Sequence, residues 1–122
     1  MLFRSKSSLL EHIILSINRT IEYTGDNGLP LIGGGDWNDG MNKVGILGKG
    51  TSVWLGFFAY MTIRDFMDIC DDYNIKINKS LYINYLVKLK EHLNKVAWDG
   101  EYYLRAFYDN GNKLGSKFSI HI

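Results

Sequence analysis

One stretch of the chain, residues 51–73, decides the fold class: TSVWLGFFAYMTIRDFMDICDDY. Thr51 or Ser52 supplies a hydroxyl that can cap the N-terminus of a helix. Apolar residues then recur to about Tyr73 with no proline to interrupt them, which predicts one long helix. Its first half is apolar nearly all round, which predicts burial between neighbouring elements. We therefore expect its aromatic side chains in the core.

Two further helices are predicted on either side. Residues 8–23 carry apolar side chains at intervals of three and four, and Gly25 is a candidate C-terminal cap. Residues 79–97 place leucines and a valine on one stripe and charged residues mostly on the other face. This last helix and the helix at 51–73 are expected to form a helical hairpin.

The remaining segments predict a loop and a hairpin. Residues 25–50 are rich in glycine and show no sustained period, so they form a long loop, and long loops in compact domains tend to be functional. Residues 102–108 and 113–120 flank an Asp-Asn-Gly turn and predict a β-hairpin. The fold class is mainly α, with about three helices, a long glycine-rich loop and a C-terminal β-hairpin.

Composition excludes several classes of function. The 122 residues suffice for one domain at most, and 46% are hydrophobic. A net charge of +1 gives no broad field for nucleic acid or anionic lipid, so we expect neither partner. The single cysteine, Cys70, indicates a reduced thiol, and Glu11 and Arg19 interrupt any N-terminal signal or membrane span. These features favour the cytoplasm.

The glycine-rich loop contains GGGDWNDGMN, residues 33–42, which has the composition of a sugar site. The ring of Trp37 suits the apolar face of a pyranose, and the side chains of Asp36, Asn38 and Asp39 suit its hydroxyls. A carboxyl group can also donate a proton to a glycosidic oxygen. A structural interpretation stays open, in which Asp36 caps a turn and Trp37 anchors the core.

Two other ligands fit the loop poorly. An EF-hand calcium loop that starts at Asp36 would need glycine where Met41 stands and glutamate where Leu47 stands. A phosphate-binding P-loop would need glycine at Lys43 and a hydroxyl residue directly after Lys49. A generic anion at the N-terminus of the helix at 51–73 stays open. His12 and His92 have no second histidine at ligand spacing, and His121 near the end allows no interpretation, so no metal is expected. No cofactor is expected either.

Two blocks of the chain carry a family resemblance: GLPLIGGGDWNDGMNKVGILGKGTSVWLGFF and AWDGEYYLRAFYDNGNKLGS. They resemble glycoside hydrolase family 94, the inverting glycoside phosphorylases, and most of all the C-terminal region of cyclic β-1,2-glucan synthetases. The resemblance implies an (α/α)6 toroid, a barrel of paired helices. Because such a toroid needs about twelve helices and this chain supplies about three, residues 1–122 are expected to be a fragment of that catalytic domain.

The resemblance also implies roles for the loop. Asp39 would be the general acid, Trp37 would line the sugar subsite beside the cleaved bond, and Asp36 and Asn38 would support the loop or bind hydroxyls. Inorganic phosphate would be the co-substrate and would attack the anomeric carbon, so no catalytic base is needed. The implied function is glycosyl transfer on a β-linked glucan oligosaccharide, by phosphorolysis to a sugar 1-phosphate or the reverse.

The chain departs from the family at two places. Thr51 stands where the family usually has a glutamate, and the match fades after Ser116, before the family's later phosphate-binding residues. Our first hypothesis is therefore a part of a glycoside phosphorylase that carries the general acid and is inactive alone. The alternative is a non-catalytic helical module that binds saccharide or self-associates through exposed apolar surface.

Overall fold

A computed structural model of the chain describes residues 8–33 and 44–115. Its elements in chain order are α1 (Leu9–Glu22), β1 (Thr51–Ser52), α2 (Val53–Asp72), α3 (Lys79–Val96), β2 (Ala106–Phe107) and β3 (Lys113–Leu114). The strands pair antiparallel in the order β1-β2-β3. The prediction of a mainly α chain with three helices and a short C-terminal hairpin is confirmed.

Local sequence sets both ends of α1. The Ser8 hydroxyl accepts a hydrogen bond of 3.1 Å from the backbone N–H of Glu11, and the Glu11 carboxylate accepts one of 2.9 Å from the N–H of Ser8. This reciprocal pair satisfies two of the free N–H groups at the helix start. The C-terminal cap is Tyr23, so the expected cap at Gly25 was wrong. Gly25 instead opens a turn, in which its N–H donates to the carbonyl of Leu29 at 2.8 Å.

Helices α2 and α3 pack against each other as the predicted helical hairpin. Ser52, rather than Thr51, caps α2, because its hydroxyl accepts from the N–H of Leu55 at 3.0 Å. The side chain of Asn78 caps α3 in the same way through the N–H of Leu81 at 3.2 Å. None of the helices in the described ranges is both long and apolar enough to cross a membrane.

Two apolar clusters form the core. The first joins all three helices through Ile17, Ile63, Phe66, Cys70, Tyr82 and Leu86. The second joins α2 and α3 to the sheet and to the loop after α1 through Leu29, Val53, Ala59, Leu89, Leu93, Ala97, Leu104 and Phe107. Cys70 is a free, fully buried thiol, as predicted. The fully buried Leu29 anchors the start of the glycine-rich loop in the second cluster.

The first half of α2 is less buried than its sequence predicts. The side chains of Trp54, Phe57 and Phe58 are 43%, 38% and 44% exposed. The prediction that these aromatic residues lie in the core was therefore wrong. The second cluster covers only the side of the helix that carries Val53 and Ala59. On the outer side, Trp54 and Phe58 stack on each other with ring centroids 5.3 Å apart.

The sheet includes a strand that the sequence did not predict. β1 pairs with β2, with Thr51 opposite Phe107 and Ser52 opposite Ala106. A strand of two residues at the end of a glycine-rich loop has too few positions to show alternation. The predicted hairpin is present as β2 and β3, and Gly111 provides the positive φ of 87° in its turn. Its part after residue 115 lies outside the described residues.

Candidate functional site

The four predicted site residues, Asp36, Trp37, Asn38 and Asp39, lie outside the described residues. Their roles therefore stay predictions. The structure describes the frame that holds this segment, which consists of residues 27–33 before it and 44–50 after it. The geometry of this frame determines where the segment leaves the fold and where it returns.

The two sides of the frame are in direct contact. The N–H of Ile32 donates to the carbonyl of Gly50 at 2.9 Å. A Cβ atom placed on Gly45 would lie 3.1 Å from the Cβ of Ile32 and 3.3 Å from the carbonyl oxygen of Gly33. At these distances a side chain on Gly45 would require its neighbours to shift by a few tenths of an ångström. Gly33 and Gly45 therefore bring the ends of the segment that carries the predicted site together.

The first side of the frame is tied to the start of α2. The N–H of Ser52 donates to the carbonyl of Pro30 at 3.0 Å, and Leu31 forms a β-bridge with Thr51. The side-chain amide of Asn27 donates to the Thr51 hydroxyl at 3.0 Å. Thr51 is 2% exposed. Thr51, at which the family resemblance leads us to expect a glutamate, is thus a buried structural contact in this chain.

The second side of the frame is held by a carboxylate from the hairpin turn. The side chain of Asp109 accepts three backbone hydrogen bonds, from Leu47 at 2.9 Å and from Lys49 and Gly50 at 2.8 Å each. Its own N–H donates to the carbonyl of Val44 at 3.1 Å. The hairpin turn and the glycine-rich loop are therefore joined by four hydrogen bonds on one residue.

These contacts change the ionisation of Asp109. Burial acts to raise its pKa, but the three N–H donors and the positive charge of Lys49 outweigh that effect. The pKa of Asp109 therefore lies below its ordinary value of 3.8. The sequence predicts only a turn at this residue. No local pattern could reveal its role, because its partners lie 59 to 62 positions away in the chain.

The same contacts bear on the alternative of an anion site at the start of α2. The N–H groups of Leu47, Lys49 and Gly50 do converge on one anion, but this anion is the protein's own Asp109. The next donors are also engaged, because the N–H of Val53 binds the carbonyl of Arg105 at 2.9 Å. The backbone that a phosphate-binding loop would offer to its ligand is occupied by internal acceptors.

A surface cavity of about 390 Å³ opens beside the frame. Its lining consists of Val44, Leu47, Lys49, Tyr108, Asp109 and Asn110. Tyr108 is 38% exposed and offers an aromatic ring, while Lys49 and Asn110 offer hydrogen-bond donors. These side-chain types suit a polar ligand with an apolar face, such as a sugar.

His92 packs against the glycine-rich loop. An ideal Cβ atom on Gly28 would overlap the imidazole of His92, so this ring on α3 rests directly on the turn at the start of the frame. Within residues 8–33 and 44–115, no three His, Cys, Asp or Glu side chains are grouped as metal ligands would be. His121 lies outside the described residues.

Comparison with known proteins identifies the family. Residues 3–120 match the model of the Glycosyl hydrolase 94 superfamily, catalytic domain. The chain is 48% identical over 106 residues to the cyclic beta-(1,2)-glucan synthase NdvB of Rhizobium meliloti, and this match covers 87% of the chain and 4% of the synthase. It is 32% identical over 108 residues to the solabiose phosphorylase of Paenibacillus borealis, with coverage of 87% and 14%. An N,N'-diacetylchitobiose phosphorylase of Vibrio proteolyticus is 26% identical over 113 residues, with coverage of 91% and 14%.

Proposed function

Because the chain belongs to the Glycosyl hydrolase 94 superfamily, we propose that it is part of a catalytic domain that transfers glycosyl groups of β-linked glucans. The observation that carries this proposal is the family match over residues 3–120, which includes the whole predicted sugar loop. The similar proteins include a glucan synthase and phosphorylases, which favours phosphorolysis or its reverse. The chain spans 14% or less of the length of these relatives, so the remaining parts of the site are proposed to come from further chain.

In the proposed reaction, Asp39 donates its proton to the glycosidic oxygen as the bond from that oxygen to the anomeric carbon breaks. An oxygen of inorganic phosphate forms the new bond to the anomeric carbon from the opposite face. The products are an α-sugar 1-phosphate and a saccharide shortened by one unit. The Trp37 ring supports the apolar face of the sugar, and Asp36 and Asn38 bind hydroxyls or brace the loop.

The frame supports this assignment. The hydrogen bond from Ile32 to Gly50 holds the two sides of the frame together, and Asp109 fixes residues 47–50. A general acid must be held within about hydrogen-bond reach of the proton's destination, so a loop with both ends fixed is suited to carry one. Cys70, a buried free thiol, is consistent with our proposal that the reaction takes place in the cytoplasm.

Release of sugar 1-phosphate from sophorose and cellobiose tests the proposal. We expect the 122-residue chain alone to be inactive and a full-length protein that contains it to be active. Asp39→Asn should abolish release, whereas Asp26→Asn, at an exposed aspartate in the turn before the frame, should leave it unchanged. Robust release by the isolated chain would contradict its inactivity, and full activity of Asp39→Asn would contradict the role of the acid.

The exposed aromatic face of α2 favours a second candidate, a module that self-associates. Trp54, Phe58 and Met61 are 43%, 44% and 52% exposed and lie at helical spacing. Contiguous apolar surface of this kind favours association. Size-exclusion chromatography should then show a mass that rises with concentration and returns to that of the monomer in Trp54→Ser/Phe58→Ser. A monomer at all concentrations would exclude this candidate.

A further inference from the structure

We propose that Asp109 is a positioning residue for Asp39, in that its carboxylate fixes the chain on the C-terminal side of the predicted acid. This inference rests on the proposed function, which makes Asp39 the proton donor. Asp109 binds the frame from the hairpin turn and does not belong to the loop that it holds. Nothing in the family resemblance assigns it a role.

A carboxylate is the side chain that these donors require. One oxygen of Asp109 accepts from Lys49 and Gly50, and the other accepts from Leu47. An ionised carboxylate is acceptor-only, and its bonds to N–H are shorter and stronger than those of a neutral acceptor. An amide of the same shape would replace one oxygen with a donor that faces another donor. Asp109→Asn therefore removes hydrogen bonds with almost no change in volume.

Asp109 is itself held rigidly. The N–H of Tyr108 donates to the carbonyl of Asn112 at 2.9 Å, and the N–H of Gly111 returns to the carbonyl of Tyr108 at 2.9 Å. These bonds close the turn between β2 and β3, and β2 is paired in turn with β1 at the start of α2. The carboxylate thus fixes residues 47–50 relative to the sheet.

The connection from Asp109 to the acid is short. The N–H of Asp109 binds the carbonyl of Val44, which is five residues after Asp39 in sequence. Gly45 in turn contacts Gly33 on the other side of the frame. Loss of the carboxylate leaves this backbone bond to Val44 in place but removes the acceptors of Leu47, Lys49 and Gly50. Residues 44–50, which follow the acid's segment, are then held less firmly. Proton transfer is sensitive to such shifts, since a misplacement of about 1 Å can cost about 100-fold in rate.

Three backbone N–H groups already use most of the acceptor capacity of the Asp109 carboxylate, which favours a role through the backbone. The proposed reaction also needs no second catalytic carboxylate, because inorganic phosphate can attack the anomeric carbon without a general base to activate it. We therefore expect Asp109 to act through the backbone alone.

The leaving group of the substrate provides the test in the full-length protein. With sophorose, whose leaving oxygen needs a proton, Asp109→Asn should lower kcat by about 10- to 100-fold. With a dinitrophenyl β-glucoside, whose leaving group departs without protonation, most of that loss should disappear. Asp109→Glu, which keeps both oxygens, should restore part of the activity on sophorose. A merely structural role would reduce activity on both substrates equally, and this result would overturn the inference.

Asp99 offers a matched control. It is also a turn aspartate of the C-terminal region, and its carboxylate accepts the N–H groups of Glu101 and Tyr102 at 3.1 Å each. These bonds are local, so Asp99→Asn should not show the dependence on leaving group. Asp39→Asn should show the same dependence as Asp109→Asn. Equal activity of Asp39→Asn and the unmodified protein on sophorose would contradict the proposed function instead.

Fluorine NMR provides a readout that needs no activity. The chain has three tryptophans, Trp37, Trp54 and Trp98, so 5-fluorotryptophan labelling gives three resonances that single Trp→Phe variants assign. Asp109→Asn should shift or broaden the Trp37 resonance much more than the other two, and Asp99→Asn should leave Trp37 unchanged. An unchanged Trp37 resonance in Asp109→Asn would overturn the inference. If Asp109→Asn does not fold, Asp109→Glu should show a smaller shift of the same resonance.

Discussion

The side-chain amide of Asn27 and the hydroxyl of Thr51, which are 24 positions apart in sequence, are joined by a hydrogen bond of 3.0 Å. Asn27 also accepts the N–H of Leu29 at 3.1 Å, so one side chain organises the turn after α1 and ties it to the start of α2. Thr51 is nearly inaccessible to solvent, so water cannot take the place of the Asn27 amide as the partner of its hydroxyl.

Thr51→Val should therefore destabilise the chain. Valine keeps the shape of the side chain but leaves the amide of Asn27 without this acceptor, at an expected cost of about 1–2 kcal/mol in the free energy of unfolding. Urea unfolding followed by circular dichroism measures it. Thr62→Val, at an exposed position of α2, should change stability by less than about 0.5 kcal/mol. Equal effects of the two variants would contradict a role for the hydrogen bond.

Gly28→Ala should be more destabilising than the same change at Gly111. Both glycines have left-handed φ values, of 83° and 87°, at which a side chain costs about 1 kcal/mol. At Gly28 the new methyl would also overlap His92, whereas no heavy atom lies within 4 Å at Gly111. Overpacking adds about 1–3 kcal/mol.

The difference between these two variants in urea unfolding isolates the contact with His92. Truncation of the imidazole in Gly28→Ala/His92→Ala should recover part of the loss. Equal losses for Gly28→Ala and Gly111→Ala would show that the overlap is relieved without cost.

Acid should weaken the frame through Asp109. Its pKa is lower in the folded chain than the ordinary value of 3.8, so the folded state favours the ionised form. Its contribution to stability is therefore fully present above the unfolded pKa and is lost as pH falls through the folded pKa. Urea midpoints measured between about pH 2 and pH 5 should fall more steeply with acid for the unmodified chain than for Asp109→Asn. Parallel curves would contradict this linkage.

The thiol of Cys70 should resist modification in the folded chain. Burial raises its pKa, the charge of Asp71 raises it further, and Lys79 only partly opposes them. A thiol reagent such as dithiobisnitrobenzoate should therefore react at least about 100-fold more slowly than with the unfolded chain, because reaction requires opening of the core.

An exposed neighbour supplies the control for that measurement. Ile69 is 52% exposed on the same helix, so Ile69→Cys in a Cys70→Ser background should react rapidly without denaturant. Similar rates for the two cysteines would show that the first apolar cluster does not protect Cys70.

The helices were predictable because their signals are local. The stripe of α1 and its cap at Ser8, and the cap of α2 at Ser52, depend on residues within four positions of one another. Exposure of Trp54 and Phe58 was not predictable, because an apolar sequence shows that a helix can be buried but not what covers it. The contact of Asp109 with Gly50 joins residues 59 positions apart, and local sequence patterns do not predict contacts of this range.

The candidate site likewise has a part that the sequence predicts and a part that only the structure shows. Residue types in the loop point to sugar chemistry at Trp37 and Asp39, and these roles stay predictions. The structure adds the frame, which the sequence could not show, because the hydrogen bond between Ile32 and Gly50 joins residues 18 positions apart.

The close approach of Gly33 and Gly45 affects how the length of the loop between them can vary in evolution. Because the frame closes on its own hydrogen bonds, the entropy of joining its ends depends only weakly on the length of what it spans, at about 0.6 kcal/mol for each doubling. Insertions and deletions between the two glycines are thus expected to leave the helices and the sheet nearly undisturbed. The frame can therefore accept loops of different length and sequence. New substrate preferences can arise in such loops while the helices and the sheet stay unchanged.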